Sequence, residues 1–293
     1  MAREMDVVLG IIGGSGLYQM EGSEVVAEHA ISTPFGQPSD AIVETRLGDR
    51  TVFFLPRHGR GHRLLPSEVP ARANVCALKM LGVTHVLAVS ACGIMREEIA
   101  PGDMVVPDQI FDRTRSQRPS TFFGDGIVGH LSFADPFCGE LRELLLQSAG
   151  ETDAKVYAGG TYICMEGPLF STRAESNFYR KAVDAAVIGM TALPEAKLAR
   201  EAELCYAMLA MGTDYDCWHE EEEDVTIEQV LAVMEANAAT AYQIVRRLVE
   251  ALPARSTCAC LSAAANAIVT DRGTIPAETV EKLRPIYGHY LHA

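Results

Sequence analysis

The chain has 293 residues, of which 48% are apolar and 22% charged, enough for one large α/β domain or two ordinary ones and too apolar for a largely disordered protein. A formal net charge of −14 repels nucleic acid and anionic lipid, which argues against either as a partner. No run approaches the ~20 apolar residues of a membrane span, and the opening MAREMDVVLGIIGGSGLY leads into glycines rather than a cleavage site, so it reads as a first strand and not a signal peptide.

Strands and helices are expected to alternate along the chain. Residues 6–12 and 51–55 are β-branched or aromatic runs. Ser67 is a candidate N-cap for a helix over SEVPARANVCALKML that stops at Gly82. VTHVLAVSA then reads as a buried strand ending at Cys92-Gly93, followed by a strand in GDMVVPD, a helix around 136–149 and a strand around 156–164. A helix starting at Pro194-Glu195 runs to about Cys205, and YAMLAMG is another buried strand. The longest helix spans about 226–251, opened by Thr226, and a last helix lies within 275–291. With no linker, charge block or repeat, this rhythm predicts a single α/β domain over 1–293, its mixed and mostly parallel central sheet flanked by helices and 252–293 forming a helical extension. Ligands are then expected in loops at strand ends.

Eight scattered cysteines, several in apolar runs, read as reduced buried thiols of a cytoplasmic protein. There is no C-x-x-C pair. The Cys258-Ala259-Cys260 and Cys217-Trp218-His219 spacings suit zinc poorly, so no metal is expected.

Four constellations can carry chemistry. Gly13-Gly14-Ser15-Gly16 follows the first strand; its N–H groups and hydroxyl suit an oxyanion, and a plain tight turn suits it equally. Arg57-His58-Gly59 sits at a strand end in a basic patch of an acidic chain, where the arginine fork can grip a phosphate and the histidine add a further bond. Ser90-Ala91-Cys92-Gly93 closes a buried strand, with nothing nearby in sequence to activate Cys92 as a nucleophile. Asp214 and Asp216, two residues apart after YAMLAMG, can hold a metal, cap a helix or read a base edge, one accepting from an exocyclic amine and a protonated one donating to a ring nitrogen. A formal G-x-G-x-x-G at Gly124, Gly126 and Gly129 lacks the flanking strand and helix of a dinucleotide fingerprint and reads as a loop.

Taken in order, IIGGSGLY, TPFGQPSD, PRHGRGH, SACG, REEIAPGDMVVPDQIFDRT, MEGPLFSTRAES, VIGMTALPEAKLARE and GTDYDCW resemble the 5′-methylthioadenosine phosphorylase branch of the trimeric purine nucleoside phosphorylases, over roughly residues 8–250. The resemblance implies phosphate as co-substrate, held by Ser15, Arg57, His58, Ser90, Ala91 and Thr191, and no further cofactor. It places Met190 against the ribose and Phe170 and Ser171 beside the substrate, with Asp214 at N7 and Asp216 at the 6-amino group. His130, lent by a neighbouring subunit of a homotrimer, and Ile227 would flank the 5′ substituent. Ser171 stands where the 6-oxopurine enzymes have a glutamate, and Asp214 where they have asparagine; both changes imply a 6-aminopurine. An enzyme acting on adenosine, inosine, guanosine or methylthioinosine is the alternative. A water-using nucleosidase and a purine-binding protein without catalysis are more distant ones.

Overall fold

The computed structural model describes residues 4–14, 23–115, 117–219 and 227–291. Its strands, in chain order, are β1 (Met5–Asp6), β2 (Leu9–Gly13), β3 (Glu24–His29), β4 (Ile42–Leu47), β5 (Arg50–Pro56), β6 (His85–Ile94), β7 (Met104–Val106), β8 (Gln109–Arg113), β9 (Val156–Ala158), β10 (Thr161–Met165), β11 (Ala185–Gly189), β12 (Cys205–Asp214) and β13 (Arg255–Ser256). The helices are α1 (Ala71–Met80), α2 (Gly139–Gly150), α3 (Arg173–Phe178), α4 (Ala192–Glu201), α5 (Ile227–Ala251) and α6 (Ala277–Leu291).

The near-continuous apolar runs of β2, β6, β11 and β12 are buried because helices cover the sheet on both faces. Alternate side chains divide into two cores. Ile12, Val86, Ala88, Tyr206 and Met208 join α1, α4 and α6, whereas Ile11, Leu87, Val89, Ala207 and Leu209 join α2 and α5.

Strand β6 organises the sheet. One edge pairs in parallel with β12 along its length, from His85↔Cys205 to Gly93↔Asp214. The other edge pairs in parallel with β2 only as far as Ile12↔Ala88, and then antiparallel with β11 at Ile188↔Gly93 and Val187↔Ile94. From β2 the sheet continues through β5 and β4 to β3; from β11 through β10 to β8; and from β12 through β7 to β9. Six of the ten pairings are parallel, so the sheet is mixed and mostly parallel.

Several elements differ from the sequence reading. The first strand is interrupted at Val7-Val8, and its start, β1, pairs antiparallel with β13 instead of joining the main sheet. The helix expected from Ser67 begins only at Ala71, because Pro70, its N-cap, follows a turn and offers no capping side chain. The strand over 156–164 is two, β9 and β10, broken by Gly159 and Gly160 at φ +83° and +102°. Helix α4 ends at Glu201, and Cys205 opens β12 rather than closing the helix. The sequence reading does not include strands β3, β4, β8, β11 and β13 or helix α3. Thr226, the expected opener of α5, lies outside the described residues. The C-terminal helix α6 packs into the first core through Leu283, Ile286 and Tyr287, and no helix among the described residues is long and apolar enough to cross a membrane.

Candidate active site

Between Ala88, where β2 stops pairing, and Gly93, where β11 starts, one edge of β6 is left without a strand. Arg57, just past the end of β5, fills part of this gap. Its Nη1 donates to the Val89 carbonyl at 3.0 Å and its Nη2 to the Ile12 carbonyl at 3.1 Å. Nε and Nη2 also donate to the two carboxylate oxygens of Glu195 in the first turn of α4, at 2.5 and 3.2 Å. Both residues are 2% exposed, and Tyr206 donates its hydroxyl to Glu195 at 3.1 Å. The fork expected to clamp an anion is therefore engaged by Glu195. Of five guanidinium protons, one on Nη1 remains for a ligand, together with the positive potential of a fixed, desolvated charge.

His58 stacks on His62 at 4.3 Å. Its Nδ1 lies 2.9 Å from the Leu64 carbonyl and so carries a proton in the neutral ring, which leaves Nε2 as an acceptor. Burial, then the neighbouring Arg57, push the His58 pKa down to about 4. His58 is thus neutral in this environment at neutral pH.

Ser90 and Thr191 meet across the gap: Thr191 Oγ1 donates to Ser90 Oγ at 3.1 Å, and the Thr191 N–H donates to the Tyr162 hydroxyl at 3.3 Å. Met190 and Thr191 follow directly on β11. Arg118 fixes this turn, donating to the Met190 and Leu193 carbonyls at 2.6 and 2.9 Å and to Glu166 at 2.7 Å. Cys92 is buried, and desolvation pushes its thiol up to about 12, so it holds no nucleophilic thiolate.

At the end of β12, on the opposite edge of β6, stand the carboxylates. Asp214 accepts from the Thr213 hydroxyl at 2.6 Å and from the Asp216 N–H at 2.9 Å. Asp216 is 6% exposed and sits at φ +53°, a left-handed conformation that aspartate tolerates. Burial raises its proton affinity, and the charge of Asp214 raises it further. Gly93 permits this close approach: a Cβ there would lie 2.9 Å from the Ile188 side chain and 3.2 Å from Asp214 Oδ1.

These groups surround one cavity of about 530 Å³. Of the sequence-derived candidates, Arg57, His58, Ser90, Ala91, Phe170, Met190, Thr191, Asp214 and Asp216 line it. Ser171 does not; its hydroxyl points to the Met165 sulfur at 3.6 Å, and its carbonyl accepts from the Cys217 thiol. His130 is exposed on a loop whose backbone bonds to Ala267, outside its own chain's cavity. Ser15 lies outside the described residues, as does the side chain of Ile227, although Gly14 beside Ser15 lines the cavity. Sequence reasoning missed His62, Met165, Met234, Glu235 and the supporting Glu195, Arg118 and Tyr162. Glu195 carried a signal, a carboxylate in an otherwise apolar helical turn, but its partner is 138 residues away.

Residues 8–250 match the profile of the phosphorylase superfamily. The chain is 54% identical to an S-methyl-5′-thioadenosine phosphorylase of Geobacter sulfurreducens, covering 98% of this chain and 100% of that one. It is 54% identical to one of Koribacter versatilis, covering 98% of each. Among solved structures it is similar to a methylthioadenosine phosphorylase from an antarctic soil metagenomic library, with TM-score 0.90, 46% identity and coverage of 96% and 99%. It is also similar to the Schistosoma mansoni methylthioadenosine phosphorylase in complex with adenine, with TM-score 0.79, 42% identity and coverage of 83% and 91%.

The raised proton affinity of Asp216 has a stability consequence. Its charged form is disfavoured in the folded state, so folding loses free energy as pH rises from the ordinary carboxyl range towards and through the raised value. Asn keeps the shape and tolerates the positive φ. Asp216→Asn should therefore melt above the parent protein at neutral pH, with the difference vanishing in acid; thermal melts at several pH values that show no such convergence would exclude a charge origin.

Proposed function

The chain belongs to the phosphorylase superfamily, and from that premise we propose that it transfers the sugar of 5′-methylthioadenosine to inorganic phosphate, releasing adenine and 5-methylthioribose 1-phosphate. The observation that carries the reading is the division of one cavity by β6, with a fixed cation and hydroxyls on the β2–β5 and β11 side and a carboxylate pair on the β12 side. The names of the relatives support a 6-aminopurine with a methylthio group, and the apolar Met165, Met190, Met211 and Met234 suit an uncharged sugar carrying a thioether.

The mechanism follows from where charge develops. As the N-glycosidic bond lengthens, its electron pair moves onto the purine and the sugar becomes cationic. Phosphate near Arg57, Ser90 and Thr191 lies under the anomeric carbon, stabilises that cation and forms the new C–O bond. On the base side, burial raises the proton affinity of Asp216, and the charge of Asp214 raises it further. Asp214 faces N7, where a proton delivered as the bond breaks neutralises the leaving base, and Asp216 faces the 6-amino group. No organic cofactor and no covalent enzyme intermediate enter the scheme.

Adenine release from methylthioadenosine should require phosphate, whereas release in its absence would turn the reading towards a nucleosidase. Asp214→Asn should lower kcat/KM for the 6-aminopurine by about 10²–10⁴-fold, the usual scale for a lost proton donor, and shift preference towards 6-oxopurines; unchanged selectivity would sink the base-site assignment.

His58 titrates from its low free value when an anion arrives, since a bound dianion stabilises the imidazolium. Phosphate binding should then take up protons near neutral pH. Calorimetry in buffers of different ionisation heats should show an uptake that falls in His58→Gln; identical uptake in both proteins would remove His58 from the phosphate site.

We assign the protein to the cytoplasm on its buried thiols, and to a homotrimer on the family resemblance and on His130 lying outside its own chain's cavity, free to serve a neighbour's. A native mass of three chains is expected, and a monomer that retains full activity would refute the shared site.

A further inference from the structure

At the end of β12 farthest from Asp214, the fold gathers four cysteines that are scattered in sequence. Cys138 is the N-cap of α2, Cys205 opens β12, and Cys258 and Cys260 flank the first residue of a 3₁₀ turn after β13. Their four sulfur atoms all lie within 4.8 Å of one another, and those of Cys138 and Cys258 are 3.6 Å apart. Four thiolates at the ~2.3 Å Zn–S distance of a tetrahedral site stand about 3.8 Å from each other. We propose that Cys138, Cys205, Cys258 and Cys260 form a structural site for a soft tetrahedral metal ion, zinc, contrary to the expectation drawn from local cysteine spacing. That spacing compares only neighbours in sequence, whereas here one C-x-C turn supplies two ligands and two distant elements supply the others.

The surroundings suit such an ion. Three of the cysteines are buried and Cys260 is half-buried, so the cluster is closed to solvent on most sides. Leu141 donates its N–H to the Cys138 sulfur at 3.5 Å, and the N-terminus of α2 favours negative charge on that sulfur. On loading, four S–H bonds break, four Zn–S bonds form and four protons pass to solvent; no electrons are transferred. With all four positions taken by protein, no site is left for water or substrate, which makes the role structural. Strand β12 is ten residues long, which separates its cluster end from its carboxylate end by roughly 30 Å at the rise of an extended chain. The ion would fasten the chain after α5 to α2 and β12, both parts of the second core.

The test is elemental analysis of the full untagged chain purified without chelator, followed by exchange with cobalt(II). One zinc per chain is expected, with cobalt giving the intense visible ligand-field bands of a tetrahedral tetrathiolate. Cys258→Ser and Cys260→Ser should lose the metal, whereas Cys76→Ser, a buried thiol elsewhere, should keep it. The cobalt spectrum of the unmutated chain decides the matter even where a variant fails to fold. A metal-free protein that takes up no cobalt with its thiols reduced would overturn the proposal. So would a mass two hydrogens short per bridge, which would show the cluster to be held by disulfides instead.

Discussion

A β-strand has two edges, and β6 is asked to serve three neighbours. The exchange of β2 for β11 along one edge leaves main-chain acceptors of a central strand without a ladder partner, a cost of a kind buried backbone groups seldom carry. The answer is the Arg57 guanidinium, which bonds to one carbonyl of β6 and one of β2 and is neutralised by Glu195. The same group that completes the sheet's hydrogen bonding also places a fixed positive charge beside the cavity. Removal of either partner would leave the other ionised and desolvated, which typically costs about 3–5 kcal/mol.

The carboxylate side depends on the same strand by another route. The parallel pairing of β6 with β12 holds one register to Gly212↔Cys92, shifts by one residue and ends at Gly93↔Asp214, so the core register together with this irregularity decides where Asp214 emerges. A slip of one residue would turn the whole strand over and remove both acids from the cavity. Packing and the placement of the acids are therefore set by the same strand pair. The absence of a Cβ at Gly93 is what lets the acids close on the strand beside them.

Much of this was legible because buried parallel strands announce themselves as unbroken apolar runs with polar residues at their ends. Arg57 and Asp214 stand at such ends, and Ser90 lies within β6 where one of its edges lacks a partner strand. What stayed hidden depends on contacts between distant segments. Glu195, Arg118 and Tyr162 act through partners far along the chain, and nothing in their local sequence records those partners. The neutral state of His58 follows from its burial and from the Arg57 charge beside it, not from the motif. The short edge strands β3 and β8 lack the burial that makes a run conspicuous, and in β4 charged Glu44 and Arg46 break up the apolar pattern. The cysteine cluster is the plainest case, since its spacing is convincing only in three dimensions.

The acceptors of Arg57 on the two strands are main-chain carbonyls, which every amino acid supplies alike. Substitutions along β2 or β6 can alter the walls of the cavity without erasing the bonds that orient this charge. Asp214 and Asp216, by contrast, present side chains at the end of a different strand. On the proposed assignment, the fold separates what is common to an entire reaction class from what distinguishes one substrate from another, and a lineage could change its nucleobase by drift at the end of β12 while inheriting its anion site intact.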